Sequence, residues 1–135
     1  MDARDVLVDT SLLIDHFRSK QKKDTILFNL AERRHLFISS VTKFEFLVGA
    51  KSDQLPQIKT ILDMFNVLAF DSKCADIASN FFKYLQSKHQ HAEFRDVFIA
   101  ATASANRLPI ATLNTKHYKG IREVSLIPIS LAEDG

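Results

Sequence analysis

Val6-Leu7-Val8-Asp9-Thr10-Ser11 is a short apolar run that ends abruptly in a carboxylate followed by two hydroxyl residues. The run predicts a buried first strand, with a helix starting directly after it. Open α/β sheets place their ligands in the crevice outside the carboxyl ends of such strands. The fold therefore turns on which other acidic groups the rest of the chain brings to Asp9.

At 135 residues the chain is most simply one domain, 1–135, large enough to bury roughly two-thirds of the surface its unfolded form would expose. A hydrophobic share of 46% with 25% charged residues is that of an ordinary globular protein, and nothing in the pattern calls for long disorder. Phe is frequent, at 11 residues, and Trp is absent, so the aromatics are expected to fill the core. The lone Cys74 sits in an apolar helical pattern and reads as a buried structural thiol. With neither a signal peptide nor an apolar stretch of membrane-spanning length, a cytoplasmic location is expected and no membrane association. A formal charge of +2 is too small to argue for nucleic acid by itself.

Working outward from Asp9, Leu12, Leu13 and Phe17 share one helical face, and the polar run from Ser19 to Asp24 reads as a loop. Leu27, Leu30 and Ala31 mark a second helix closed by Arg33-Arg34-His35. Leu36-Phe37-Ile38 is a short strand; Ser39 to Thr42 offers several N-caps for a helix that ends near Gly49. An amphipathic helix through Leu55, Ile58, Ile61, Leu62 and Phe65 precedes a third strand, Val67 to Phe70. Asp71 reads as the N-cap of the clearest helix, with Cys74, Ile77, Ala78, Phe81 and Leu85 at helical spacing. After an interruption at His89 to Glu93, Arg95-Asp96 opens a helix, Val97 to Arg107, that is apolar almost all round and should be buried. Pro109 to Thr112 and Val124 to Ile129 read as the last strands, with Pro128 pointing to a sheet edge. Strands alternating with helices imply a parallel sheet covered on both faces.

Three acids stand out by position: Asp9 ending the first strand, Glu45 just after the second, and Asp96 opening the buried helix. If strands one, two and four are neighbours, the three converge at one sheet edge. Convergent carboxylates repel unless a cation sits between them, and hard oxygen ligands suit Mg²⁺ or Mn²⁺ and a phosphodiester substrate. Each acid also has a purely structural explanation. Asp9 and Asp96 could cap helices, and Glu45 could form a capping box with Thr42, stapled by Val41 and Phe46.

Val8-Asp9-Thr10-Ser11, the stretch Val41 to Ala50, Arg95-Asp96 through Ala103, and Ala111-Thr112-Leu113-Asn114 together resemble the successive motifs of PIN domains, particularly the VapC toxin nucleases. The resemblance spans nearly the whole chain. It implies a three-layer α/β/α sandwich with a central parallel sheet, and a metal-dependent endoribonuclease acting as the toxin of a type II toxin–antitoxin pair. By that resemblance Asp9, Glu45 and Asp96 match the family's metal-site acids for Mg²⁺ or Mn²⁺. Asp9 and Asp96 would anchor the ion; Glu45 would ligate or serve as general base. Thr10 or Ser11 would orient a ligand or water.

The family's fourth acidic position falls on Asn114, and the aspartate often found slightly further on is replaced by His117. Asn can ligate through its carbonyl oxygen but brings no charge, so a second ion is poorly supported. Arg95, Lys116, His117 and Lys119 could form a positive rim for RNA phosphates, or a solvated surface. His89 and His91 lack a third ligand for zinc. The resemblance also implies RNA as substrate, a homodimer, and a cognate antitoxin lying over helices near the site, with Phe17 and the Leu47-Val48 region as contacts. A receiver-like domain would need an acid pair after strand one and a lysine after the last strand, and both are missing. The nearer rival is a weak or inactive PIN domain that only binds RNA or protein.

Overall fold

The computed structural model of the chain describes residues 2–121, 123–127 and 129. Five strands, β1 (Asp5–Val8), β2 (His35–Ser39), β3 (Asn66–Leu68), β4 (Ile110–Ala111) and β5 (Leu126–Ile127), form one parallel sheet in the order β3-β2-β1-β4-β5. Strands one, two and four are neighbours as the acid argument required, and β1 lies at the centre. Its helices are α1 (Thr10–Arg18), α2 (Ile26–Arg33), α3 (Ser40–Val48), α4 (Leu55–Leu62), α5 (Ser72–Ser87) and α6 (Phe94–Ala105).

β1 explains the layering. Successive strand side chains point to opposite faces. Val6 and Val8 join a core with Leu12, Leu13, Leu27, Ile38 and Ile58, whereas Leu7 joins the opposite core with Phe81, Val97, Ile99 and Ile110. The strand is buried on both sides, which is why it reads as a continuous apolar run rather than an alternation. The result is the expected α/β/α sandwich.

Several boundaries differ from the sequence expectation for local physical reasons. His35 does not close α2 but opens β2, where its Nδ1 lies 2.9 Å from Asp5 Oδ1. The loop before α2 contains a 3-10 turn, Lys22–Asp24, whose Lys22 ammonium reaches three carbonyls at the end of α1. α4 stops at Leu62, so Phe65 is buried from the following turn rather than from the helix. α6 starts at Phe94, a turn earlier than the apolar pattern, with Glu93 at the N-cap.

The aromatic expectation fails in part. Phe46, Phe65 and Phe81 are buried, but Phe44 and Phe94 are exposed, because the two cores are filled largely by branched aliphatic residues and alanine. Cys74 is buried as expected, and burial raises its thiol pKa. β5 is an edge strand; Pro128, read as the sign of that edge, lies outside the described residues. Among the described residues no helix is long and apolar enough to cross a membrane.

Candidate active site

Parallel pairing places Val8 beside Ala111, so the residues that follow β1 and β4, Asp9 and Thr112, emerge side by side. Asp9 is buried and both of its oxygens are engaged. Tyr118 donates its hydroxyl to Oδ1 at 2.7 Å; Thr112 donates to Oδ2 at 2.9 Å. Ser11 N–H also donates to Oδ2 at 3.3 Å, so Asp9 is indeed the N-cap of α1. The capping explanation therefore holds for Asp9, whose carboxylate also stands at the carboxyl end of β1 beside Thr112.

For the other two acids capping fails. Ser39 caps α3 through the Val41 N–H, which leaves Glu45 two turns into the helix and rules out a Thr42–Glu45 capping box. Asp96 lies in the first turn of α6 behind Glu93 and is not its cap. Glu45 instead faces back toward β1: Thr10, next to Asp9, donates to Glu45 Oε1 at 3.0 Å and also contacts the buried Thr42 hydroxyl.

Asp96 is the least satisfied of the three. It is buried, with His117 Nδ1 3.2 Å from Oδ2, while Oδ1 is the one buried side-chain oxygen among the described residues with no hydrogen-bond partner. Burial raises its pKa, partly offset by His117 and Arg95 and reinforced by the charge of Asp9. Arg95 supplies a cation. Its Nη1 is 3.2 Å from Glu45 Oε2 and its Nε 3.6 Å from Asp96 Oδ1. Burial opposes the guanidinium charge, yet Glu45, Asp96 and Asp9 together raise its pKa.

Arg95 and His117, read from sequence as rim residues, thus contact the acids themselves, whereas Lys116 is exposed and lines, with the outer side of His117, a hollow shared with Gln90, His91 and Lys119. Asn114 is exposed; its backbone N–H donates to Thr112 at 2.9 Å. Sequence reasoning missed Thr112 and Tyr118. Thr112 had a signal, since it follows its strand as Asp9 follows β1. Tyr118 had none beyond being the lone buried aromatic after Asn114.

The donor set fits a hard divalent cation. It consists of carboxylate oxygens, one of them buried without a donor, with Asp9 near enough to perturb it and Glu45 joined to it through Arg95. Beside it runs a groove of about 560 Å³, bounded by Thr10, Ile14, Phe17, Glu45, Phe46 and Arg95.

A parallel α/β/α sandwich with carboxylates gathered beyond the central strand defines the class of open-sheet α/β domains whose ligand crevice lies at the carboxyl ends of the strands, here an acidic one. More particularly, the chain belongs to the PIN domain family, whose model matches residues 6–122. It is 29% identical to Ribonuclease VapC1 of Methanocaldococcus jannaschii over 90% of this chain and 84% of that protein. It is 33% identical to Ribonuclease VapC3 of the same organism over 72% of this chain and 96% of that protein. Among solved structures, a toxin–antitoxin complex from Klebsiella pneumoniae superimposes with a TM-score of 0.71 at 28% identity, covering 93% of this chain and 97% of that one.

Proposed function

We propose that this chain is an endoribonuclease dependent on Mg²⁺ or Mn²⁺ and the toxin of a toxin–antitoxin pair. The observation that carries the reading is Asp96 Oδ1, a buried carboxylate oxygen left without a donor within electrostatic reach of Asp9. Support comes from the PIN family and from two similar proteins named as ribonucleases.

Asp9 and Asp96 would hold the ion, with Glu45 sharing it or holding a proton through a water. The chemistry such an ion supplies is neutralisation of charge developing on a phosphate and activation of water for attack. The chain's own residues prepare for this. Tyr118 and Thr112 fix both oxygens of Asp9, each a charge-assisted hydrogen bond worth roughly 1.5–3 kcal/mol. Thr10 orients Glu45 through Oε1, which leaves Oε2 facing Arg95. His117 holds the far oxygen of Asp96. Lys116 and Lys119 lie on the surface beyond His117, placed to attract RNA phosphates; an unchanged salt slope of RNA affinity in their alanine variants would remove them from that role.

The rival reading, a PIN domain that binds RNA or protein without cutting, draws on Asn114, an uncharged side chain at the fourth acidic position. Incubating purified protein with structured tRNA and single-stranded RNAs decides between them. Cleavage that requires Mg²⁺ or Mn²⁺ and stops with chelator supports the nuclease; binding without cleavage supports the rival.

For the partner, the groove from Phe17 to Glu45 offers an apolar wall leading to the acids, and Val48 is 68% exposed on α3. An antitoxin segment fits there, as the likeness to the toxin–antitoxin complex supports. Co-purification with the product of an adjacent gene tests this. Chromatographic mass tests the homodimer, and fractionation the cytoplasmic location.

A further inference from the structure

Arg95 immediately precedes Asp96 on the first turn of α6, and its guanidinium lies inside the acidic crevice. The 3.2 Å contact to Glu45 Oε2 is a hydrogen-bonded ion pair, whereas the 3.6 Å approach to Asp96 Oδ1 is too long for a hydrogen bond and is electrostatic. The charge thus faces the one buried side-chain oxygen among the described residues that lacks a hydrogen-bond partner. Across the same carboxylate, His117 takes the opposite oxygen at 3.2 Å.

We propose that Arg95 is the resident counter-ion of Glu45 and Asp96 and competes with the divalent cation for them, so that metal binding displaces the guanidinium. The inference rests on the metal-site reading of the three acids. A guanidinium cannot give up its proton in a protein, so its charge leaves the crevice only when the side chain moves. Arg95 is able to move. Its side chain is 42% exposed and borders two hollows, the groove toward Phe17 and a second bounded by Val41, Phe44 and Phe98. The Arg95 end of both pairs is open to solvent and the approach to Asp96 is no hydrogen bond, so the competition lowers metal affinity without blocking the site.

The test is isothermal titration of the whole chain with MnCl2. Arg95→Gln binds Mn²⁺ about fivefold to tenfold more tightly than the unaltered chain, the scale of two weak ion pairs removed. Arg95→Lys, which keeps the charge, stays within about twofold. Asp96→Asn, which removes the acid that Arg95 and the ion share, abolishes the binding heat. If Asp96→Asn is silent and Arg95→Gln binds no more tightly, or if the Lys and Gln variants gain equally, the competition is overturned while the metal site stands. If Asp96→Asn binds as the unaltered chain does, the metal-site reading falls and the inference with it.

Discussion

The two ends of β1 each carry acids, and they differ in how those acids are satisfied. At the amino end Asp2, Asp5 and His35 bring their ligand atoms within 4.8 Å of one another, the one set among the described residues to do so. That cluster is complete. Asp5 accepts from the Asp2 N–H at 3.0 Å and meets His35 at 2.9 Å, while Asp2 accepts from the Arg4 N–H at 2.7 Å and from the Arg4 guanidinium. At the carboxyl end the acids are more widely spread, yet Asp96 keeps a buried oxygen with no donor and a pKa raised by burial. Compactness alone makes a well-paired turn. The acid with an unpartnered oxygen lies instead at the carboxyl edge of the parallel sheet, where open α/β sheets place their ligands.

The comparison predicts opposite responses to substitution. Asp9→Asn or Asp96→Asn lowers RNA cleavage by about a thousandfold or more with the fold retained, because each removes an anchor for a group worth several kcal/mol in the transition state. Asp2→Asn at the other end leaves cleavage unchanged. Full activity in either carboxyl-end variant, measured in the same gel, breaks the distinction.

Tyr118→Phe sharpens it. Loss of the hydroxyl that donates to Asp9 at 2.7 Å costs about 1–3 kcal/mol of stability and lowers cleavage about tenfold to a hundredfold, as loss of partners behind metal ligands does. Thermal melts and kcat read the two effects separately.

A smaller effect runs the other way. Burial raises the folded-state pKa of Asp96 above its unfolded value, so the folded protein takes up that proton more readily. The residue therefore favours folding most below the unfolded pKa, and that contribution is lost as pH rises through the folded one. Above the folded pKa the buried charge is a liability, so there Asp96→Asn raises the melting temperature of metal-free protein by about 3 °C per kcal/mol recovered. The gain shrinks as pH falls through that window. The smallest effect belongs to Asp2→Asn, whose melting temperature stays near that of the unaltered chain.

Much of this was legible in the sequence because parallel α/β topology forces it. The apolar run of β1, the alternation of strands with helices and the recurrence of acids after strand ends bring Asp9, Glu45 and Asp96 to one edge provided that strands one, two and four are neighbours, and the strand order meets that condition. Sequence could not separate capping from a site, since helix starts are uncertain by a residue or two and Ser39, Ser40 and Thr42 are all plausible caps. Only the observed caps, Ser39 and Glu93, free Glu45 and Asp96 for another role. Nor could it find Tyr118, which reaches Asp9 across 109 positions and looks like any core aromatic. Arg95 beside an acid reads naturally as a phosphate contact. Its place between Glu45 and Asp96 depends on α3 packing against α6, a tertiary fact.

The central claim is that the carboxyl end of β1 binds the cation and the amino end does not. Anomalous diffraction from crystals soaked in MnCl2 tests it most directly. The predicted result is a manganese peak beside Asp9 and Asp96; a peak at Asp2, Asp5 and His35 with none at the carboxyl end would contradict the account.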